Sequence, residues 1–234
     1  MASSLPSGAA NRPHQPLPLI VDGEGQAPEA IAARMKEHLE RMQHQAIATH
    51  IEPVTYARVR TLLPGVKYHA GAKCLMIKSD DAALQRLPGT VGVVGAAADA
   101  QAVEQAKLLL QHLGAFVIAK GGLSAANMQS VIEAAPALQV CDVVIVVAGA
   151  DAALPTAVAG FVDAPVLAVP TCGPWSPPRG SAPVAVAASA SDAAVMAARM
   201  LRTAAHRALH IAQSAAATAA AAGHVRVEAA AHAL

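Results

Sequence analysis

Between Val143 and Thr171 the chain reads VVIVVAGADAALPTAVAGFVDAPVLAVPT, and no other stretch constrains the fold as tightly. Two apolar runs, Val143–Ala148 and Val166–Val169, have the length of strands and are bounded by turn residues. Unbroken β-branched runs of this kind belong to strands buried on both faces of a parallel sheet, which helices must then cover. Gly149 follows the first run, and a helix is predicted from Ala152 to about Phe161. A strand, a glycine turn and a helix start in succession place a ligand site at the carboxyl edge of the sheet, where free backbone N–H groups attract anions.

The remaining sequence supplies the partners for these strands. From Thr90 the pattern is regular: strand 90–94, a helix from about Asp99 to Leu113 with Gly114 as its cap, strand 115–119, and a helix over about Ala125–Leu138. A last strand is expected at 182–188. Strands alternating with helices of these lengths imply an α/β doubly wound parallel sheet, a Rossmann-like sandwich with right-handed crossovers. The final helix is expected to start at Ser191 or Asp192 and to run to Gly223, with Val195, Met196, Met200, Leu201, Leu209 and Ile211 as its apolar face. Its length exceeds what one small sheet can cover, so it either meets a partner subunit or projects into solvent.

Ahead of this domain lies a small β-α-β-α-β unit at 18–78: strand 17–21, a helix PEAIAARMKEHLERM with Ile31, Met35, Leu39 and Met42 on one face, strand 45–51, a helix from Pro53 to about Leu63, and strand 72–77. Such a unit is small for independent stability. Residues 79–89 read as a linker, residues 1–17 as a disordered leader, and 224–234 as a tail. An organellar presequence is the alternative for the leader; otherwise the protein is expected in the cytoplasm.

Composition narrows the function classes. No apolar run reaches the roughly 20 residues needed to span a bilayer, and a net charge of +1 without a basic stripe argues against a nucleic-acid surface. Neither a membrane nor a nucleic acid is an expected partner; a small nucleotide is. Three cysteines, Cys74, Cys141 and Cys172, lack CxxC or metal-like spacing and read as reduced thiols. The turn after strand 90–94 is VVGAAAD, without GxGxxG, so a dinucleotide dehydrogenase is not supported. HExxH, GxSxG and P-loop patterns are absent. His206 and His210 stand at i, i+4 on the last helix without a third ligand, so no metal site is expected.

The segment DVVIVVAGADAALPTAVAGFVDAPVLAVPT resembles, ungapped over some thirty positions, the catalytic domain of the pyridinium-3,5-biscarboxylic acid mononucleotide synthase (LarB) family, which begins assembly of the nickel-pincer cofactor. VDGEGQAPEAIA and PGVKYHAGAKCLMI resemble that family's N-terminal elements, and PVAVAASASDAAVMAARML resembles the end of the wider AIR carboxylase (PurE-like) superfamily fold. The resemblance covers about residues 19–205. It implies a PurE-like catalytic-type domain at 90–223, built as a flavodoxin-like three-layer sandwich, and a lyase/carboxylase that carboxylates nicotinic acid adenine dinucleotide and releases AMP. Bicarbonate or CO2 is the implied co-substrate, with magnesium as a possible requirement, no tightly bound cofactor, and a homo-oligomer of octamer type. Asp99, Gly121, Gly149, Asp151, Pro155, Thr171 and Trp175 are the candidate substrate-binding residues, and Cys172, which stands where the family has a serine, is the candidate substitute for the family's nucleophilic thiol.

Each of these has a structural alternative. Asp99 and Asp151 could cap helices, Cys172 could be a buried inert thiol, and Trp175 could be a hydrophobic plug instead of a stacking platform. Lys120 and Arg179 could meet phosphate or remain solvated. The chain also departs from the family pattern. Ala96-Ala97-Ala98-Asp99 stands where the family has GTSD, Gln26-Ala27 replaces its Lys-Thr, and Ser124-Ala125-Ala126-Asn127 lacks the titratable base of the related mutases. After Thr171 the run CGPWSPPRGSA replaces a helix and an Asn-Ser-Cys motif. These losses favour the alternative of a non-catalytic, nucleotide-binding or regulatory protein (a pseudoenzyme); a purine-biosynthetic carboxylase or mutase is a further alternative, which the missing base weakens.

Overall fold

The computed structural model describes residues 19–42, 45–78, 86–149, 151–173 and 182–231. They fall into two compact units, dividing between residues 82 and 83. The expected leader, most of the expected linker, Trp175 and Arg179 lie outside the described residues.

In the first unit, β1 (Leu19–Asp22) leads to α1 (Pro28–Met42), β2 (Gln45–Thr49), α2 (Pro53–Leu62), β3 (Lys67–His69) and β4 (Cys74–Lys78). Proline opens both helices, where a missing N–H costs nothing. Ile31 and Met35 of α1 and Val59 of α2 pack on Val21, Ala46, Ala48 and Leu75 of the sheet, with Leu39 at the margin. The sheet runs β1-β2-β4-β3, with β1 and β2 parallel and β4 antiparallel to both its neighbours. The β-α-β-α-β reading therefore lacks one strand: Lys67–His69 turns back as a hairpin on β4. Three residues are too few to register as periodicity. Tyr68 holds the hairpin through contacts far away in sequence, stacking on Tyr56 at 4.9 Å and donating its hydroxyl to the Ile51 carbonyl at 3.0 Å.

The second unit contains β5 (Thr90–Gly95), α3 (Ala100–His112), β6 (Phe116–Gly121), α4 (Met128–Leu138), β7 (Val143–Ala148), α5 (Leu154–Ala159), β8 (Val166–Pro170), β9 (Ala185–Val186) and α6 (Ala190–Ala231). All strand pairs are parallel, in the order β6-β5-β7-β8-β9. This is the 2-1-3-4-5 order of a doubly wound, flavodoxin-like sheet. Helices α3 and α6 cover one face and α4 and α5 the other. Every residue of β7 is buried, as its unbroken apolar run requires. Val144, Val146 and Ala148 face α4 and α5, against Val131, Leu138, Leu154 and Val158.

Three expectations for this unit fail. The last strand shrinks from 182–188 to Ala185–Val186, because Pro183 has no N–H to give a ladder and β9 is an edge with one neighbour. The face by which α6 packs is made of Ala193, Ala194, Ala197 and Ala198 with Leu201, the one predicted large residue that is buried. Small side chains let the helix axis approach α3 and the sheet closely. The helix also continues past Gly223, since alanine-rich flanks offset the roughly 1 kcal/mol that an internal glycine costs.

Candidate functional site

A short 3-10 turn, Ala97–Asp99, carries the chain from β5 into α3. Asp99 occupies the N-cap position of α3, but its side chain makes no capping hydrogen bond. Its carboxylate instead accepts from the Gly149 backbone N–H at 3.0 Å and from Thr171 Oγ1 at 2.5 Å. One side chain thus joins the carboxyl ends of β5, β7 and β8. Because β5 connects outward to β6 and the chain then crosses back to β7, this junction sits at the topological switch point of the sheet, where open α/β sheets place their ligands.

Gly149 is required there by close approach. A β-carbon at that position would overlap Thr171 Oγ1 and stand 3.0 Å from Asp99 Oδ1 and 3.2 Å from Cys172 Sγ. Four residues singled out in the sequence, Asp99, Gly149, Thr171 and Cys172, therefore converge on one spot. Cys172 is exposed, which sets aside the buried-thiol alternative. Cys74 and Cys141 are the buried ones, and burial pushes the Cys74 thiol up to about 12 and raises that of Cys141 as well, so both stay protonated at neutral pH.

Asp151 belongs to a neighbouring arrangement and is not a cap. Helix α5 starts at Leu154 with Ala153 at its N-cap position and no side-chain cap. Asp151 Oδ2 instead accepts from Ser124 Oγ at 2.9 Å and from the Ala125 N–H at 2.6 Å, tying the turn after β7 to the turn after β6. Ser124 Oγ in turn accepts from the Ala126 N–H at 3.2 Å, and Ser130 Oγ accepts from the Ser124 N–H at 3.2 Å. Ser124 was legible only as part of GGLSAAN; its role appears once the two turns are side by side.

This network changes the expectation that free N–H groups at a helix start would hold an anion. The Gly149 N–H is taken by Asp99, the Ala125 N–H by Asp151, and the Leu154 N–H by the Asp151 carbonyl at 3.1 Å. Pro155 is buried in the first turn of α5 and has no N–H to offer. Two carboxylates and a backbone carbonyl of the protein occupy donors that a ligand would otherwise use. Gly121 ends β6 in open space, and Lys120 beside it is exposed. Exposed His206 and His210 lie on α6.

No protein-family model matches the chain. An uncharacterized protein of Methanocaldococcus jannaschii is 31% identical over 164 residues, covering 66% of this chain. The match spans 63% of that protein's own length. Among solved structures, PurE and a PurE2 variant of Treponema denticola each align at 18% identity with a TM-score of 0.40, over 53% of this chain and 94% of theirs. Among the described residues, no helix is long and apolar enough to cross a membrane.

Proposed function

We propose that this chain is a divergent nucleotide carboxylase of the AIR carboxylase (PurE-like) superfamily, acting on nicotinic acid adenine dinucleotide with release of AMP. The observation that carries the reading is the convergence of an exposed thiol, Cys172, with Asp99, Gly149 and Thr171 at the switch point of a doubly wound sheet. A pyridinium ring is electron-poor and does not attack CO2 unaided. Addition of the Cys172 thiolate to the ring would supply an electron pair. A neighbouring ring carbon then bonds to CO2 and gives up its proton to solvent, and the electron pair of that C–H bond expels the thiolate from the carbon it had joined, which restores the pyridinium. Water would cleave the phosphoanhydride to free AMP. Asp99, held by two donors, is positioned to fix the strand ends around the nucleotide.

The test incubates purified protein with nicotinic acid adenine dinucleotide, bicarbonate and magnesium, and follows AMP and carboxylated product by mass spectrometry. Turnover that falls by on the order of a hundredfold or more in Cys172→Ala supports the reading. Absence of turnover with retained nucleotide binding sinks it. That second outcome matches the alternative of a non-catalytic nucleotide-binding protein, which the alanine turn Ala96–Ala98 and the internally occupied backbone donors favour.

A further inference from the structure

The first unit holds a group of metal-ligating atoms that the carboxylase reading does not use. Strands β1 and β2 run parallel with Asp22 opposite Thr49, so Asp22 and His50 emerge side by side at the same sheet edge. His50 has a φ of 55°, a left-handed conformation uncommon for a residue with a bulky side chain. Its Nδ1 lies 2.8 Å from Asp22 Oδ1. Gly23 places the third member: a β-carbon there would come within 2.8 Å of the Thr49 carbonyl oxygen, so the chain can hug β2 only as glycine. The turn it allows returns the Glu24 N–H to Asp22 Oδ1 at 3.1 Å. One donor atom each of Asp22, Glu24 and His50 lies within 4.8 Å of the other two.

We propose that Asp22, Glu24 and His50 form a three-ligand site for a divalent cation of the zinc class, with the remaining coordination positions open to water or a ligand. The chemistry of the set decides the class. Two carboxylates with one imidazole suit a borderline ion such as Zn2+, Co2+ or Mn2+, whereas Mg2+ prefers oxygen alone. Ligands about 2.1 Å from such an ion stand roughly 3.4 Å apart in a tetrahedron, so the exposed side chains need only small rotations to close on it. The set gathers at the ends of two strands, with Asp22 and His50 28 positions apart in sequence, which hid it from motif spacing.

Full-length protein stripped with chelator and titrated with Co2+, followed by visible absorption, with Zn2+ competition by calorimetry, tests the site. Saturable binding is expected, weakened by about tenfold or more in Glu24→Gln and in His50→Asn. Asparagine tolerates the left-handed backbone, and Glu24 is exposed, so both variants should keep the native circular dichroism spectrum. A His206→Ala/His210→Ala control should bind as the parent does. No saturable Co2+ signal, unchanged affinity in the two site variants, or loss of binding in the control would each overturn the assignment.

Discussion

Asp99 illustrates how one carboxylate can organise a sheet edge. Its two oxygens take a backbone N–H from the end of β7 and a hydroxyl from the end of β8, so the side chain closes a gap between strands that the backbone ladders leave open. The space it shares with Thr171 and Cys172 leaves no room for a side chain at position 149. Gly149→Ala is therefore expected to destabilise the second unit by about 1–3 kcal/mol through overpacking, read as a lower urea midpoint with an unchanged slope. A variant as stable as the parent would show that the edge yields without cost. Asp99, Gly149, Thr171 and Cys172 were each nameable from sequence because residue type and position after a strand suffice for that. What Asp99 bonds to was not, since the same aspartate before a helix can cap it or reach across the sheet, and local sequence contains no information on the distant acceptor or donor.

At the scale of elements, the turns after β6 and β7 act as one piece, joined by Asp151 to Ser124 and Ala125. Asp151→Ala should cost about 1–2 kcal/mol by leaving those donors unmet, with faster hydrogen exchange at the Ala125 amide. Asp151→Asn, which keeps an acceptor oxygen, should recover much of the loss. If exchange instead rises at the first amides of α5, Asp151 is a helix cap after all. Long periodic elements such as α1, α3 and β7 were legible because burial imposes a repeat on many residues at once. The hairpin strand Lys67–His69 and the edge strand Ala185–Val186 were misjudged because two or three residues carry no repeat, and their pairing rests on neighbours elsewhere in the chain.

For the whole molecule, the question is what α6 does beyond the sheet. At 1.5 Å per residue its 42 residues span about 63 Å. Among the residues whose side chains are described, Leu201 is the last buried one on this helix, and Leu209 and Ile211 are 47% and 65% exposed. The expected homo-oligomer would use this segment, so Leu209→Glu with Ile211→Glu should lower the mass measured by sedimentation velocity without changing the circular dichroism of the fold. A parent chain that sediments as a monomer would remove that role. The sequence by itself determined the alternation of strands and helices and the two-faced burial of β7, because apolar periodicity is a local consequence of burial. It also named most residues of the sheet-edge site. The tertiary structure alone decided the order in which the strands lie, which turns meet at the switch point, which backbone donors the carboxylates consume, and that Asp22, Glu24 and His50 share a corner. Those are contacts between residues tens of positions apart, and only the packing of the whole sheet brings them within bonding distance.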